Sequence, residues 1–226
     1  MEEIKSLNKK EALLYMGYRG SEIPDSLDKM IDDCLDETLQ LMEPRAVIRH
    51  YKLDKSDNKG IKIIGTNIML TGESIRKHLI YSDEIFLFST TVGNEIEKNI
   101  RKNMASDPAR GVILDSCGSV AVEAVTQAAE DECSAAAAKA GLNITWRFGP
   151  GYGDLPIDIQ RDIIRELDAT TKIGVTVNLD SLLSPSKSET AIIGLMNQGR
   201  ELRGSSCDIC RFKETCNIKA HGAKCH

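Results

Sequence analysis

The run Ile85-Phe86-Leu87-Phe88-Ser89-Thr90-Thr91-Val92 carries no charge and is too apolar for a strand with one face in water. It therefore predicts a strand near the centre of a sheet. Ala46-Val47-Ile48 and Ile61-Lys62-Ile63-Ile64 read as strands flanking the polar loop Asp54 to Gly60, and Leu142, Ile144 and Trp146 alternate with Asn143, Thr145 and Arg147 as a strand does. Helical spacing marks Ser21 to Glu43, which has Pro24 near its start and Pro44 just beyond its end. Further helices are expected opening at Thr71-Gly72-Glu73-Ser74 and running to about Leu79, from Asn94 to Asn103, from Asp107 to about Ala140, and over Ile159, Ile163, Ile164 and Leu167 behind the start signals Asp154, Pro156 and Asp158. The long alanine-rich helix is expected to pack through Val120, Val122, Ala124, Val125 and Ala128. Strands and helices follow one another without a regular β-α-β rhythm, which favours an α+β fold over a doubly wound sheet.

Charge and composition narrow the function classes. The formal charge of −5 and an aromatic content of one Trp, five Tyr and four Phe offer neither a basic footprint nor a stacking platform, so nucleic acid is not an expected partner. The first eleven residues are highly charged, and no uninterrupted apolar run approaches the ~20 residues that cross a bilayer. No signal peptide or membrane span is expected, and the protein reads as cytoplasmic.

The turn Trp146-Arg147-Phe148-Gly149-Pro150-Gly151-Tyr152-Gly153-Asp154 places a cation beside three glycines and a phenol. Its G-x-G-x-G spacing and the delay introduced by Leu155-Pro156 differ from the dinucleotide fingerprint. Glycines here let a ligand lie against the backbone, and the planar fork of Arg147 matches a carboxylate, although an arginine ending a strand is commonly just a solvated charge. Glu123, among small apolar residues of the long helix, is either on its solvent side or a buried acceptor. Tyr152 is either turn filler or a functional phenol with an apolar face and a polar tip.

Arg147 to Pro156, then Gln160, then Ile173-Gly174-Val175-Thr176-Val177-Asn178-Leu179-Asp180-Ser181-Leu182-Leu183-Ser184-Pro185-Ser186-Lys187-Ser188, resemble the activation domain of cobalamin (vitamin B12)-dependent methionine synthase. Ala12 to Gly20 and Leu114 to Ala124 fit as well, so the likeness runs from about Lys9 to Leu195 and is nearest to stand-alone bacterial activation-domain proteins. The resemblance implies a twisted, largely antiparallel sheet flanked by helices. It implies a methyltransferase component of methionine biosynthesis that binds S-adenosylmethionine for reductive remethylation of cob(II)alamin. Arg147, Glu123, Gly149, Gly151 and Tyr152 would contact S-adenosylmethionine, with Tyr152 also reaching the corrin in the catalytic assembly. The chain has no Asp-x-His-x-x-Gly cobalamin signature, so cobalamin would come from a partner corrinoid-binding methionine synthase subunit, and the electron from a donor such as flavodoxin or ferredoxin. Phe148 and Gly153 replace prolines of the fused enzymes, Glu189-Thr190-Ala191 stand where small residues and glycine are usual, and no tyrosine follows Met196. The alternative is a redox or docking accessory of a corrinoid methyltransferase that carries a Cys-ligated cluster and does not use S-adenosylmethionine.

The seven cysteines divide in two groups. Cys34, Cys117 and Cys133 read as reduced packing residues. Cys207, Cys210, Cys216 and Cys225 form C-x2-C-x5-C-x8-C beside His221 and His226, in a segment with six Lys/Arg against three Asp/Glu from Gly199 onward. Such spacing suits zinc or an iron–sulfur cluster, since both accept four thiolates. The chain thus divides into an S-adenosylmethionine-binding body over residues 1–198 and a Cys-rich tail over 199–226.

Overall fold

The computed structural model describes residues 3–18, 20, 22–200 and 214. Its strands are β1 (Arg45–Asp54), β2 (Ile61–Ile63), β3 (Met69–Leu70), β4 (Ser82–Thr91), β5 (Leu142–Ile144), β6 (Thr176–Val177), β7 (Leu183–Ser184) and β8 (Ser188–Asn197). The helices are α1 (Lys9–Tyr15), α2 (Asp25–Leu41), α3 (Glu73–His78), α4 (Asn94–Ser106), α5 (Pro108–Lys139), α6 (Gln160–Leu167) and α7 (Ala169–Ile173), with a 3-10 turn at Ile157–Ile159.

The apolar run predicted at the sheet's centre lies in β4, inside a six-stranded sheet of order β3-β2-β1-β4-β8-β5. Every pairing in that sheet is antiparallel, so the expected α+β architecture with flanking helices holds. On one side of β4 the ladder runs from Arg45↔Thr91 to Lys52↔Glu84. On the other it runs from Thr91↔Ser188 to Ser82↔Met196 with one irregularity near Ser82. β8 is almost wholly buried, and the motif reading that stopped at Ser188 missed it as a strand.

Side chains of β4 alternate between two apolar layers. Ile85 and Leu87 join Val47, Ile192, Phe148 and residues of α3, α6 and α7 in one cluster. Phe88 faces the other way, with Ala191 and Ile193, against Ala129 and Cys133 of α5. The N-terminal part of α5 leaves the sheet and packs with α1, α2 and α4 around Ile31, Cys34, Ile96, Leu114, Cys117 and Ala121. The stretch of α5 from Gly111 to Ala129 is therefore largely apolar, because most of it is enclosed. The helix is long and apolar enough to cross a bilayer by composition, a property the run-length reading did not anticipate, but more than half of its apolar stretch is buried in the protein.

The packing surface expected for α5 is partly corrected. Val120 and Val125 are buried, but Ala121, Thr126 and Ala129 lie inward where Val122, Ala124 and Ala128 are only half-buried. At Gly118 an added Cβ would sit 3.1 Å from Ile96 and 3.2 Å from the Lys187 side chain, so glycine permits α4 and the start of β8 to close on α5 together. Cys34, Cys117 and Cys133 are free and buried as expected, and burial pushes their thiols up to about 11, 12 and 12.

Candidate functional site

The segment carrying Arg147 begins as a strand and then departs from one. β5 pairs with β8 only through Ile144↔Leu195, after which Thr145 N–H donates to the Gly194 carbonyl (2.9 Å) while the Gly194 N–H donates to Thr145 Oγ1 (2.8 Å). A side chain has replaced a ladder bond here. Backbone pairing resumes at Phe148 and Ile192, whose N–H groups donate to each other's carbonyls. The simple alternation expected from Leu142 to Arg147 is corrected in consequence: the polar residues Thr145 and Arg147 are the buried ones, and Trp146 is half-buried.

His78 explains how this inversion is tolerated. It comes from the end of α3, its Nε2 is 2.8 Å from Thr145 Oγ1, and its ring packs against Trp146 (4.7 Å) and Phe148 (4.9 Å). Burial pushes its pKa down to about 3, so it is neutral at pH 7. The position was not singled out from the sequence, where only its place in the last turn of a short helix was visible.

Arg147 projects toward α5. Its guanidinium is only 2% exposed and meets three carboxylates among the described residues. Nη2 donates to Glu123 Oε1, Nε lies 2.9 Å from Glu130 Oε2, and Nη1 lies 3.7 Å from Glu189 Oε2. The Nε–H and Nη1–H groups have no aligned hydrogen-bond acceptor, so those two contacts are ion pairs without the matching fork geometry. Glu123 and Glu130 are seven residues apart on α5, which puts them on one face two turns apart. Thr126 lies on the same face, with its hydroxyl 2.8 Å from that of Thr90. The same helix face continues to Asp115 and Ser119, which both hold Lys187 Nζ at 2.9 Å. A polar seam thus runs between α5 and the start of β8.

One positive and three negative groups leave a carboxylate excess. It falls hardest on Glu189, whose carboxyl is pushed up to about 7 by burial, against the pull of Arg147 and with further upward pressure from Glu123 and Glu130. Glu130 was missed in the sequence, where its seven-residue offset from Glu123 was the available signal. Glu189 was visible there only as a departure from the resemblance.

Above this cluster is an open cleft of about 280 Å³ lined by Tyr15, Glu123, Gly149, Pro150, Tyr152, Gln160, Leu183, Ser188, Glu189 and Thr190. The structure therefore brings Glu123, Gly149 and Tyr152 together. It places Arg147 behind the cleft wall, and it uses Gly151 within the turn, where φ is +85° and the N–H donates to the Leu155 carbonyl (3.0 Å). The Tyr152 side chain is 40% exposed at the cleft edge. Gln160, at the start of α6, accepts from Thr190 Oγ1 (2.8 Å) and ties that helix to β8.

Asp154, expected to open the helix that follows the turn, instead caps α3. Its two carboxylate oxygens accept from the N–H groups of Glu73 (2.6 Å) and Ser74 (2.9 Å). These bonds, that of Ser74 first, hold its carboxyl below the usual range. Gly153 makes the approach feasible: its φ is +53°, and an added Cβ would lie 2.5 Å from Ser74 Oγ. The glycine turn is thereby clamped to a second helix.

A solved structure shares this arrangement of elements. The crystal structure of the MetH reactivation domain bound to AdoHcy matches with a TM-score of 0.62, covering 96% of this chain and 83% of that chain. At 12% identity the likeness is one of fold. No protein-family model and no curated protein sequence matches the chain. The six-stranded antiparallel sheet and its flanking helices are those of the reactivation-domain fold. Among the described residues no group of three or more His, Cys, Asp or Glu could hold a metal ion. Cys207, Cys210, Cys216 and Cys225 lie outside the described residues.

Proposed function

We propose that this chain is the activation component of a cobalamin-dependent methionine synthase, binding S-adenosylmethionine so that its methyl group can remethylate a corrinoid carried by a partner subunit. The observation that carries this reading is the cleft at the meeting of the glycine turn, α5 and β8, in a fold whose MetH representative has AdoHcy bound. Its residues fit such a ligand. Glu123 is an acceptor for hydroxyl or ammonium donors, Gly149 brings backbone to the wall, and Tyr152 adds a ring and a hydroxyl. The cleft is smaller than the ~300–1,000 Å³ usual for enclosed ligand sites. An unenclosed donor suits a methyl group that must pass to a second protein.

Arg147 would take the ligand carboxylate by exchanging it for Glu189 at Nη1, the longest of its three contacts. Partner-supplied cobalamin would act as methyl acceptor after reduction by a flavodoxin or ferredoxin. This chain's own task is to bind and orient the donor. Calorimetric titration with S-adenosylmethionine, followed by addition of the corrinoid-bearing subunit and a reductant, tests the reading. Binding, and a visible spectrum of methylcobalamin only when both proteins are present, is the expected result; equal rates without the subunit refute the partner model.

The three carboxylates already on Arg147 favour a second reading, in which the protein docks a corrinoid methyltransferase without using S-adenosylmethionine. Complete absence of binding heat in the folded protein selects that reading over the first.

A further inference from the structure

We infer that the cleft distinguishes ligands by charge, with Glu189 as the residue that makes it select a sulfonium over the corresponding neutral thioether. The inference rests on the proposed S-adenosylmethionine site and names what that site reads. Glu123 and Glu189 both line the cleft, while the cation that could neutralise them is withdrawn behind its wall and shared with Glu130. The guanidinium supplies one positive charge, and that charge is shared among three carboxylates. The cleft therefore has a deficit of positive charge that a ligand can fill. Tyr15 and Tyr152 add aromatic lining, which attracts a cation such as a sulfonium and does little for a thioether.

The charge count separates the two forms of the ligand. S-adenosylmethionine carries a carboxylate, an ammonium and a sulfonium, whereas S-adenosylhomocysteine carries only the first two. Both can exchange their carboxylate for Glu189 on Arg147, but only the first brings an additional positive charge to the displaced glutamate. After methyl transfer the sulfonium becomes neutral sulfur, so the product loses that attraction in the step that forms it and is released.

The groups facing Glu189 are Arg147 from the glycine turn and Glu123, Thr126 and Glu130 from α5. Arg147 and the Thr126 hydroxyl favour its ionised form, while Glu123 and Glu130 oppose it. A carboxyl pushed up to about 7 is partly protonated near neutral pH, so a cationic ligand should expel part of a proton on binding.

The test is calorimetric titration of the wild-type protein and Glu189→Gln with S-adenosylmethionine, S-adenosylhomocysteine and sinefungin, whose protonated amine replaces the methylsulfonium. For the wild type we expect S-adenosylmethionine and sinefungin to bind at least about tenfold tighter than S-adenosylhomocysteine, as one added charge contact at an intermediate dielectric allows. Titration at pH 7 in two buffers of different ionisation enthalpy should show proton release with the cationic ligands alone. Glu189→Gln should abolish that release and bring the three affinities within about threefold, mainly by weakening the cationic ligands. Equal wild-type affinities, or an undiminished preference in Glu189→Gln, overturn the charge-reading inference and leave the binding site standing. Failure of all three ligands to bind overturns the proposed function and this inference with it.

Discussion

Replacing Arg147 by alanine removes the cation that compensates Glu123, Glu130 and Glu189. A guanidinium that only met a ligand carboxylate would, on removal, weaken ligand binding by roughly 1.5–3 kcal/mol and leave the fold intact. Burial changes that expectation. A guanidinium 2% exposed cannot be removed without leaving its carboxylates in a poorly solvated seam, and breaking a buried pair costs about 3–5 kcal/mol. With a urea slope of about 2 kcal/mol per molar, the unfolding midpoint should fall by roughly 2 M at pH 7. The loss should shrink at pH 5, because the abandoned carboxyls can take up protons. The triple variant Arg147→Ala/Glu123→Gln/Glu189→Gln should recover at least half of it, since the three side chains form one coupled unit. Urea unfolding followed by circular dichroism at both pH values measures each term. A loss below about 1 kcal/mol for Arg147→Ala at pH 7, or no recovery in the triple variant, refutes the assignment of this cluster as mutually compensating. Arg147→Lys is the better probe of ligand recognition, because it keeps the charge and removes the planar fork.

His78, which is buried, and Glu189, which is half-buried at the cleft, should give opposing pH dependences. His78, held neutral with a pKa near 3 against an ordinary 6.5, makes folding fully favourable above 6.5 and progressively less so as pH falls toward 3, by up to about 1.4 kcal/mol per unit. Glu189, at about 7 against 4.5, does the reverse: stability is greatest below 4.5 and is lost as pH rises through 7. Between 4.5 and 6.5 the two should largely cancel, so His78→Gln should expose a fall in stability with rising pH and Glu189→Gln a rise; matching slopes in both variants would contradict the burial of one of them. Asp154→Ala should cost about 1–2 kcal/mol by uncapping α3 and should raise hydrogen exchange at Glu73 and Ser74, and unchanged exchange there would remove the cap from the account. Anaerobically prepared protein should contain iron, or failing that zinc, bound through Cys207, Cys210, Cys216 and Cys225, with Cys210→Ser abolishing the absorption or metal content; freely alkylated thiols in metal-free protein would dispose of that site.

Much of the fold was legible because its signals are local. The uncharged run at Ile85–Val92 required a strand shielded from water on both faces, the 3.6-residue spacing of Leu27, Ile31 and Leu35 required an amphipathic helix, and alternating strands and helices without rhythm required an α+β arrangement. The glycine turn likewise drew attention to Gly149 and Tyr152, and both line the cleft. β8 is less legible although its burial is as complete as that of β4, because its first three residues, Ser188, Glu189 and Thr190, are polar and continue a loop of turn-forming residues. Arg147 stands out in the sequence as a cation beside a glycine turn, but its setting depends on Glu123, Glu130 and Glu189, which lie 24, 17 and 42 positions away and meet it only when α5 and β8 pack on either side. Asp154 shows the same limit: its sequence neighbours suggested the start of the following helix, and the fold delivered it to a helix 80 residues earlier. Periodicity and turn chemistry act over a few residues of chain, so the sequence by itself determined the elements and the class of fold. Ion pairing and remote capping act through space, so only the tertiary structure decided which charges are buried together, which wall of the cleft they form, and that the cleft is short of positive charge.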